Sequence, residues 1–478
     1  MTTAAPAATR SRWILATICL TQLMIVLDST IVSIALPSVQ DALQMSDGAR
    51  QWVITAYALP FGALLLAGGR ISGIVGHPRA LVWGLAGFAV ASTLAGSAPN
   101  APALIAGRAL QGCCAALLAP AALALLSTIF AEGRERGRAF GAFAAVSAAG
   151  SAIGLIAGGL LTEYAGWRWC LFINLVIVPI GLFGARALPR GERLTGGRFP
   201  AATEVLLSVA SVVTVVAGFS AGASHGWADP YTLILLLAGG ALLAAFVVVE
   251  RRSRDPLVPP RIVAHRRRGG ALLTVFLLQL ALFGCYLFMT YFTQTVLGYS
   301  PVRAGLVLVV TSVGAVAGAV VAGLLHGRVS TRVITVPGLL ALGAGILILS
   351  RARTDTPDVF LLYLLPAQIL AGMGLGSVLT PLTSEVTAGT DSAGSGVASG
   401  LYNAVQQVGA AVGTALFNTV ATSTTAGLLI GSGTDAPTRN EATVTGYATA
   451  LIVAAGVVLG AAVVAWTIGR PDHRSQGT

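Results

Sequence analysis

The stretch SRWILATICLTQLMIVLDSTIVSIALP (11–37) opens beside Arg12 and then runs to Pro37 with a single charge, Asp28. About 20 apolar residues in a helix cross a bilayer core of about 30 Å. The run is too long for the core of a cleaved signal peptide, so it reads as a retained membrane helix. Working outward, apolar runs separated by polar breaks recur at 13–36, 51–69, 80–98, 102–129, 139–162, 169–188, 203–222, 231–249, 270–295, 304–325, 333–350, 359–384, 398–425 and 444–468. They predict an all-α membrane protein with fourteen transmembrane helices.

Of the 478 residues, 55% are hydrophobic and 10% charged, whereas about a quarter of a soluble domain is charged. That excludes a soluble globular enzyme and a disordered chain. All 29 basic residues are Arg. Without Lys there is no phosphate-gripping P-loop and no Schiff base for retinal or pyridoxal. No cofactor is expected, and uphill work has to draw on an ion gradient or another subunit. Cys19, Cys113, Cys114, Cys170 and Cys285 lie in apolar runs and read as small buried hydrophobes. The five His lie in polar loops or the tail, and no metal site is expected. GASHG (222–226) fits the nucleophile-elbow pattern, but that device needs a strand–turn–helix corner, and here the segment joins two helices.

With the N-terminus inside, alternating spans place 22 Arg on the inner side. Arg50, Arg168, Arg303, Arg351, Arg353 and Arg439 fall outside, and Arg108 lies within span four. The positive-inside rule then puts both termini in the cytoplasm, in a bacterial-type inner membrane. It also accounts for the net charge of +11 without a nucleic-acid partner.

The loop after span two, GRISGIVGHPRAL (69–81), resembles that after span ten, GLLHGRVSTRV (323–333), in its spaced glycines, Val and closing basic residue. Spans one to six and nine to fourteen then form two parallel six-helix repeats, a transporter plan with its cavity at the repeat interface. The expected division is 1–190 for the first bundle, 191–268 for an inserted helix pair with a basic connector, and 269–478 for the second bundle. The connector ERRSRDPLVPPRIVAHRRR (250–268) reads as a solvated inner loop.

LDSTIVSIALP (27–37), RALQGCCAA (108–116), WRWCLFINL (167–175), LGYSPVRAGL (297–306), GMGLGSVLTP (372–381) and GSGVASGLYNAVQQVGAAVG (394–413) together resemble the signatures of the fourteen-span drug:proton antiporters of the major facilitator superfamily. The resemblance implies a multidrug exporter working by alternating access. It also implies that the loop after span two, with Gly69, Gly73, Gly76 and Arg79, latches the bundles, and that span five aids gating. The chain departs from the family pattern at Gly73 and Ile74, where Asp-Arg is usual, at Leu155 in place of Pro, and at Gln406 in place of a basic residue.

A charge at bilayer depth costs about 2.5–3.5 kcal/mol, so Asp28 and Arg108 stand out as functional candidates. At about 1.5 Å per residue they lie about 12 Å and 9 Å from the outer ends of their spans. They are expected to interact directly or through Gln111, which with Gly112 shares Arg108's helix face. The expected cycle has Asp28 taking a proton from outside and releasing it inside, with a cationic substrate competing for the freed carboxylate. A fixed ion pair bracing span one against span four is the plainer alternative. Asn403, Gln406 and Gln407 supply uncharged hydrogen-bonding groups that either line the cavity or bridge helices. Gly150, Gly154 and Gly158 form a stripe for close helix packing, and Gly372, Gly374 and Gly376 with Pro381 soften span twelve. Asn174 with Trp167, Arg168 and Trp169 reads as an interface anchor, and Glu204 and Glu385 as water-reaching span ends. The expected partners are a small-molecule substrate, protons and the lipid bilayer, and nothing calls for more than a monomer. A dedicated exporter of one self-made antibiotic or metabolite is the alternative function, and a non-transporting membrane sensor a further one.

Overall fold

The computed structural model describes residues 4–130, 133–188, 201–253, 256–258, 263–325, 328–353, 358–387, 392–429 and 436–468. These residues are helical almost throughout. The helices are α1 (Ala4–Ala42), α2 (Asp47–Val75), α3 (His77–Gly96), α4 (Ala101–Ile129), α5 (Gly133–Tyr164), α6 (Trp169–Ala185) and α7 (Ala202–His225). There follow α8 (Pro230–Arg252), α9 (Arg266–Tyr291), α10 (Pro301–Leu325), α11 (Thr331–Leu349), α12 (Leu365–Thr387), α13 (Ser392–Leu429) and α14 (Ala436–Ile468). A π-helical turn extends α9 (Phe292–Val296), and another leads into α12 (Phe360–Leu364). Each expected apolar run falls on one of these helices. Among the described residues, twelve helices are long and apolar enough to cross a membrane, and α6 is a shorter apolar helix of 17 residues.

Side-chain caps set several starts. Ser46 Oγ accepts from Ala49 N at 3.2 Å and Asn100 Oδ1 from Ala103 N at 3.0 Å, satisfying backbone donors that helix starts leave open. Capping also explains one difference from the sequence reading. The residues around 69–75 were expected in a loop, yet α2 continues through Gly69 and Gly73 to Val75. The break comes at Gly76, whose φ of 93° lies where a side chain is strained, and α3 follows at once. Arg79 is exposed on the first turn of α3. Part of the matching segment after α10, His326 and Gly327, lies outside the described residues.

Helices α1–α6 pack chiefly among themselves, with α1 on α5 and α6, and α4 between α2 and α3. Helices α9–α14 do likewise: α12 packs against α10 and α11, and α9 against α13 and α14. Two seams join the groups, α2 with α13 and α5 with α10. The pair α7–α8 packs together and sets α7 on both α2 and α13. Ser208 donates to Ala63 O at 3.3 Å, Gln51 to Ser220 Oγ at 2.7 Å and Thr419 to Phe219 O at 2.7 Å.

Glycine decides how close the helices come. A Cβ on Gly158 would sit 2.8 Å from Ile31 O, and one on Gly154 would overlap Thr30 Oγ1, so the stripe that includes Gly150 is the α5 face against α1. A Cβ on Gly159, one residue round, would sit 2.7 Å from Pro301 O of α10, and one on Gly305 would sit 2.5 Å from Leu155 O. The position where the family pattern has Pro therefore lies in the α5–α10 seam. Gly372 and Gly376 lie against α10 and Gly374 against α11, so these glycines serve close packing of α12. Pro381 is buried inside that helix.

Of the two ends of the molecule, the near end carries the start of α1 and the α2–α3 turn, and the far end the α1–α2 turn. Hydrogen bonds cross between the groups at the far end. Arg50 donates to Asn418 Oδ1 at 3.0 Å and stacks over the Tyr291 ring at 4.2 Å. Tyr291 donates to Gln40 Oε1 at 2.6 Å, Gln294 to Ile34 O at 2.9 Å, and Val302 N to Glu163 Oε2 at 3.0 Å.

Candidate functional site

Five helices of the first group bring side chains to one buried point. Asp28 of α1 is 0% exposed and Arg108 of α4 is 1% exposed. Arg108 Nη1 donates to Asp28 Oδ2 at 2.5 Å and to Gln111 Oε1 at 2.8 Å, while its Nε donates to Val53 O at 3.2 Å. Gln111 lies one turn on, and its Nε2 donates to Asp28 Oδ1 at 3.1 Å and to Ser92 Oγ at 2.8 Å. Asn174 of α6 donates to the same Asp28 oxygen at 2.8 Å. The guanidinium lies 4.4 Å from the centre of the Tyr57 ring on α2. Gly112 makes this possible, because a Cβ there would collide with Tyr57 O.

The expected Asp28–Arg108 contact, direct and also through Gln111, is therefore observed. A buried ion pair recovers its desolvation cost only when its remaining donors and acceptors are satisfied. Here both carboxylate oxygens accept hydrogen bonds from neighbouring side chains. Asn174 is corrected: it is fully buried against Asp28, not an interface anchor. Its neighbour Trp167 is buried too, with Arg168 4.4 Å over its ring, while Trp169 is exposed. Tyr57 and Ser92 were not foreseen.

The geometry is a charged cluster held inside a group of apolar helices of membrane-spanning length. Residues 18–414 match the sequence profile of the Major Facilitator Superfamily. The chain belongs to the Major Facilitator Superfamily. It is 48% identical to the puromycin resistance protein pur8 of Streptomyces alboniger over 96% of this chain and 91% of that one. It is 37% identical to the cephamycin export protein CmcT of Amycolatopsis lactamdurans, over 86% and 85% of the two chains. Its fold is similar to that of an inward-facing, unoccupied bacterial homologue of the human lysosomal transporter Spinster. The TM-score is 0.65, with 15% identity over 96% and 97% of the chains. The Major Facilitator Superfamily is one of membrane transporters, not enzymes.

Other residues of this superfamily member lie at the helix seams and ends. Gln406 accepts from Gln279 Nε2 of α9 at 2.7 Å, and Gln407 packs on Gly62 of α2 in the α2–α13 seam. Asn403, one turn earlier, is exposed. Arg50, assigned from sequence to an outer loop, is 4% exposed because α2 begins at Asp47, ahead of its apolar run. Glu204 is buried near the start of α7 and does not stand in water. Cys113 is exposed, unlike the buried thiol expected. GASHG closes α7 at Gly226, with no strand before it.

Proposed function

We propose that this protein exports antibiotics or other hydrophobic and cationic compounds across the cytoplasmic membrane in exchange for protons, by alternating access. Export is supported by the puromycin-resistance and cephamycin-export relatives. The proton site is carried by one observation: Asp28 is fully buried, paired with Arg108 and ringed by the neutral amides of Gln111 and Asn174.

In this reading the two six-helix bundles are 1–190 and 269–478, with 191–268 an inserted pair and connector, and all fourteen helices span the bilayer. The Arg asymmetry puts the near end and both termini in the cytoplasm. The far-end contacts of Arg50, Tyr291 and Gln40 then close the outer side, and the Asp28–Arg108 pair belongs to the proton-released state. Outward opening moves α1 against α4 and loosens the pair, and Asp28 takes a proton. Asn174 Oδ1, buried without a hydrogen-bond partner, is an acceptor for that proton once the amide turns over. Inward return restores the ion pair and expels the proton. Because Asp28 is 0% exposed, a cationic substrate does not reach it in this conformation. In this conformation coupling runs through helix movement, and competition for the freed carboxylate belongs to the opened state.

Gly69, Gly73 and Gly76 near the α2–α3 turn, with Gln406 and Gln407 at the seams, serve the movement of the bundles in this account. The test is uptake of puromycin into everted membrane vesicles. Accumulation on energisation, lost on adding a proton uncoupler, is the expected result; uptake indifferent to the uncoupler contradicts it. A dedicated exporter of one antibiotic is the second reading, favoured by relatives whose names specify one compound. Ethidium, carried in the same vesicles, separates the two.

A further inference from the structure

The pair α7–α8 carries two acids where it meets the near end. The helices are antiparallel, and glycine sets their register: Gly218 lies against Leu236, and one turn nearer that end Gly239 lies against Val215. Eleven further residues, about three turns, continue the same contact face along both helices. They lead from Val215 to Glu204 and from Gly239 to Glu250. The two carboxylates therefore stand level across the contact, where the first turn of α7 meets the last turn of α8.

Both residues are 4% exposed. Glu204 lies within electrostatic reach of Glu250, as does Arg70 of α2. Arg70 also donates to Pro256 O, just beyond α8. Arg251 and Arg252 are exposed at the end of α8, and α13, also packed on α7, has no charged residue. Glu250 Oε2 accepts from Val258 N at 2.8 Å, but Oε1 is buried with no hydrogen-bond partner among the described residues. A buried carboxylate oxygen without a donor is costly while the group is ionised. Two carboxylates sharing a site do not both stay ionised. One proton answers both conditions, since it supplies a donor to the pair and removes one of two like charges.

We infer that Glu204 and Glu250 hold one proton between them, forming a second proton-binding site that belongs to the inserted pair and is separate from Asp28. The two groups titrate as a unit, exchanging the proton with water at the near end. With the proton bound, α7 and α8 stay closed there and Glu250 keeps hold of Val258. Its loss sets two like charges against each other and loosens residues 256–258 from α2. The site stands apart from the export reading; only its facing the cytoplasm rests on the orientation given there.

The test is infrared difference spectroscopy of the purified full-length protein, following the C=O stretch of protonated carboxyl groups as the pH is raised. The parent is expected to keep such a band at neutral pH, well above the ordinary Glu pKa of about 4.3, and to lose it reversibly in alkali. Asp28→Asn is expected to keep the same band, which separates this site from the transport account. Glu250→Gln puts a neutral amide in place of the protonated acid, and it and Glu204→Gln are each expected to lack the band. Melting curves of the same samples certify the fold and give a second readout. A folded state that holds a proton the unfolded chain releases loses stability as pH rises from the ordinary carboxyl range to the titration of the pair. The parent midpoint is expected to show that fall, and the Gln variants to show less of it. No band at neutral pH in the parent, a band missing from Asp28→Asn, or an equal band in the parent and both Gln variants overturns the inference.

Discussion

Arg108 and Asp28 meet across the α1–α4 contact at 2.5 Å, with side chains 1% and 0% exposed. Two charges from helices eighty residues apart in sequence share one dry site. The pair fixes how α1 and α4 sit, and any change in the charge of Asp28 changes what holds them.

Removing the cation should be costly. Truncating one partner of a buried ion pair costs about 3–5 kcal/mol, because the other charge is left uncompensated. Arg108→Ala also gives up the Tyr57 ring contact and the bond to Val53 O. It is expected to lower the thermal unfolding midpoint of the purified protein well below that of the parent. An unchanged melting curve would show that the pair does not hold the bundle.

The α1–α5 contact rests on the absence of side chains. Gly158→Ala would place a methyl 2.8 Å from Ile31 O, which belongs to the backbone and cannot turn aside. Overpacking of this kind costs about 1–3 kcal/mol. Gly141→Ala, on the same helix, meets nothing within 4 Å and should be neutral or slightly stabilising. Thermal melts of the two variants side by side decide this, and equal behaviour would mean that the helices are not in close contact.

Closure of the far end depends on Arg50, which bonds Asn418 and stacks on Tyr291 across the two helix groups. Losing a contact of about 1.4 kcal/mol in the closed state moves the closed–open equilibrium about tenfold. Cysteines introduced as Glu163→Cys and Val302→Cys, where the groups also touch, report the closure by their cross-linking rate with a short reagent. Adding Arg50→Ala should slow that cross-link markedly, and an unaffected rate would place the gate elsewhere.

Sequence reasoning reached Asp28 and Arg108 because a charge inside an apolar run is costly and therefore conspicuous. Gln111 followed from its spacing on the same helix face. Asn174, Ser92 and Tyr57 were not legible, since neutral polar residues are common in such helices and their value depends on how each helix is rotated. Arg50 was misplaced for a related reason: a Ser46 cap starts α2 before hydropathy rises. The helices themselves were legible from apolar length. The α2–α3 turn was not, because Gly69 and Gly73 look like loop glycines until their position on α2 is known.

The central claim is that Asp28 changes protonation during transport and is not merely a brace. If it does, the cycle itself visits a neutral Asp28, so Asp28→Asn, although it leaves the Arg108 charge uncompensated, must still fold, with Arg108 held by Gln111, Val53 O and Tyr57. The most direct measurement is puromycin movement driven by an imposed pH gradient in proteoliposomes holding either protein, with binding and melting recorded on the same samples. The account predicts that the Asp28→Asn protein folds and binds puromycin but shows no gradient-driven accumulation. Accumulation at the parent rate, or unfolding as severe as that of Arg108→Ala, would contradict it.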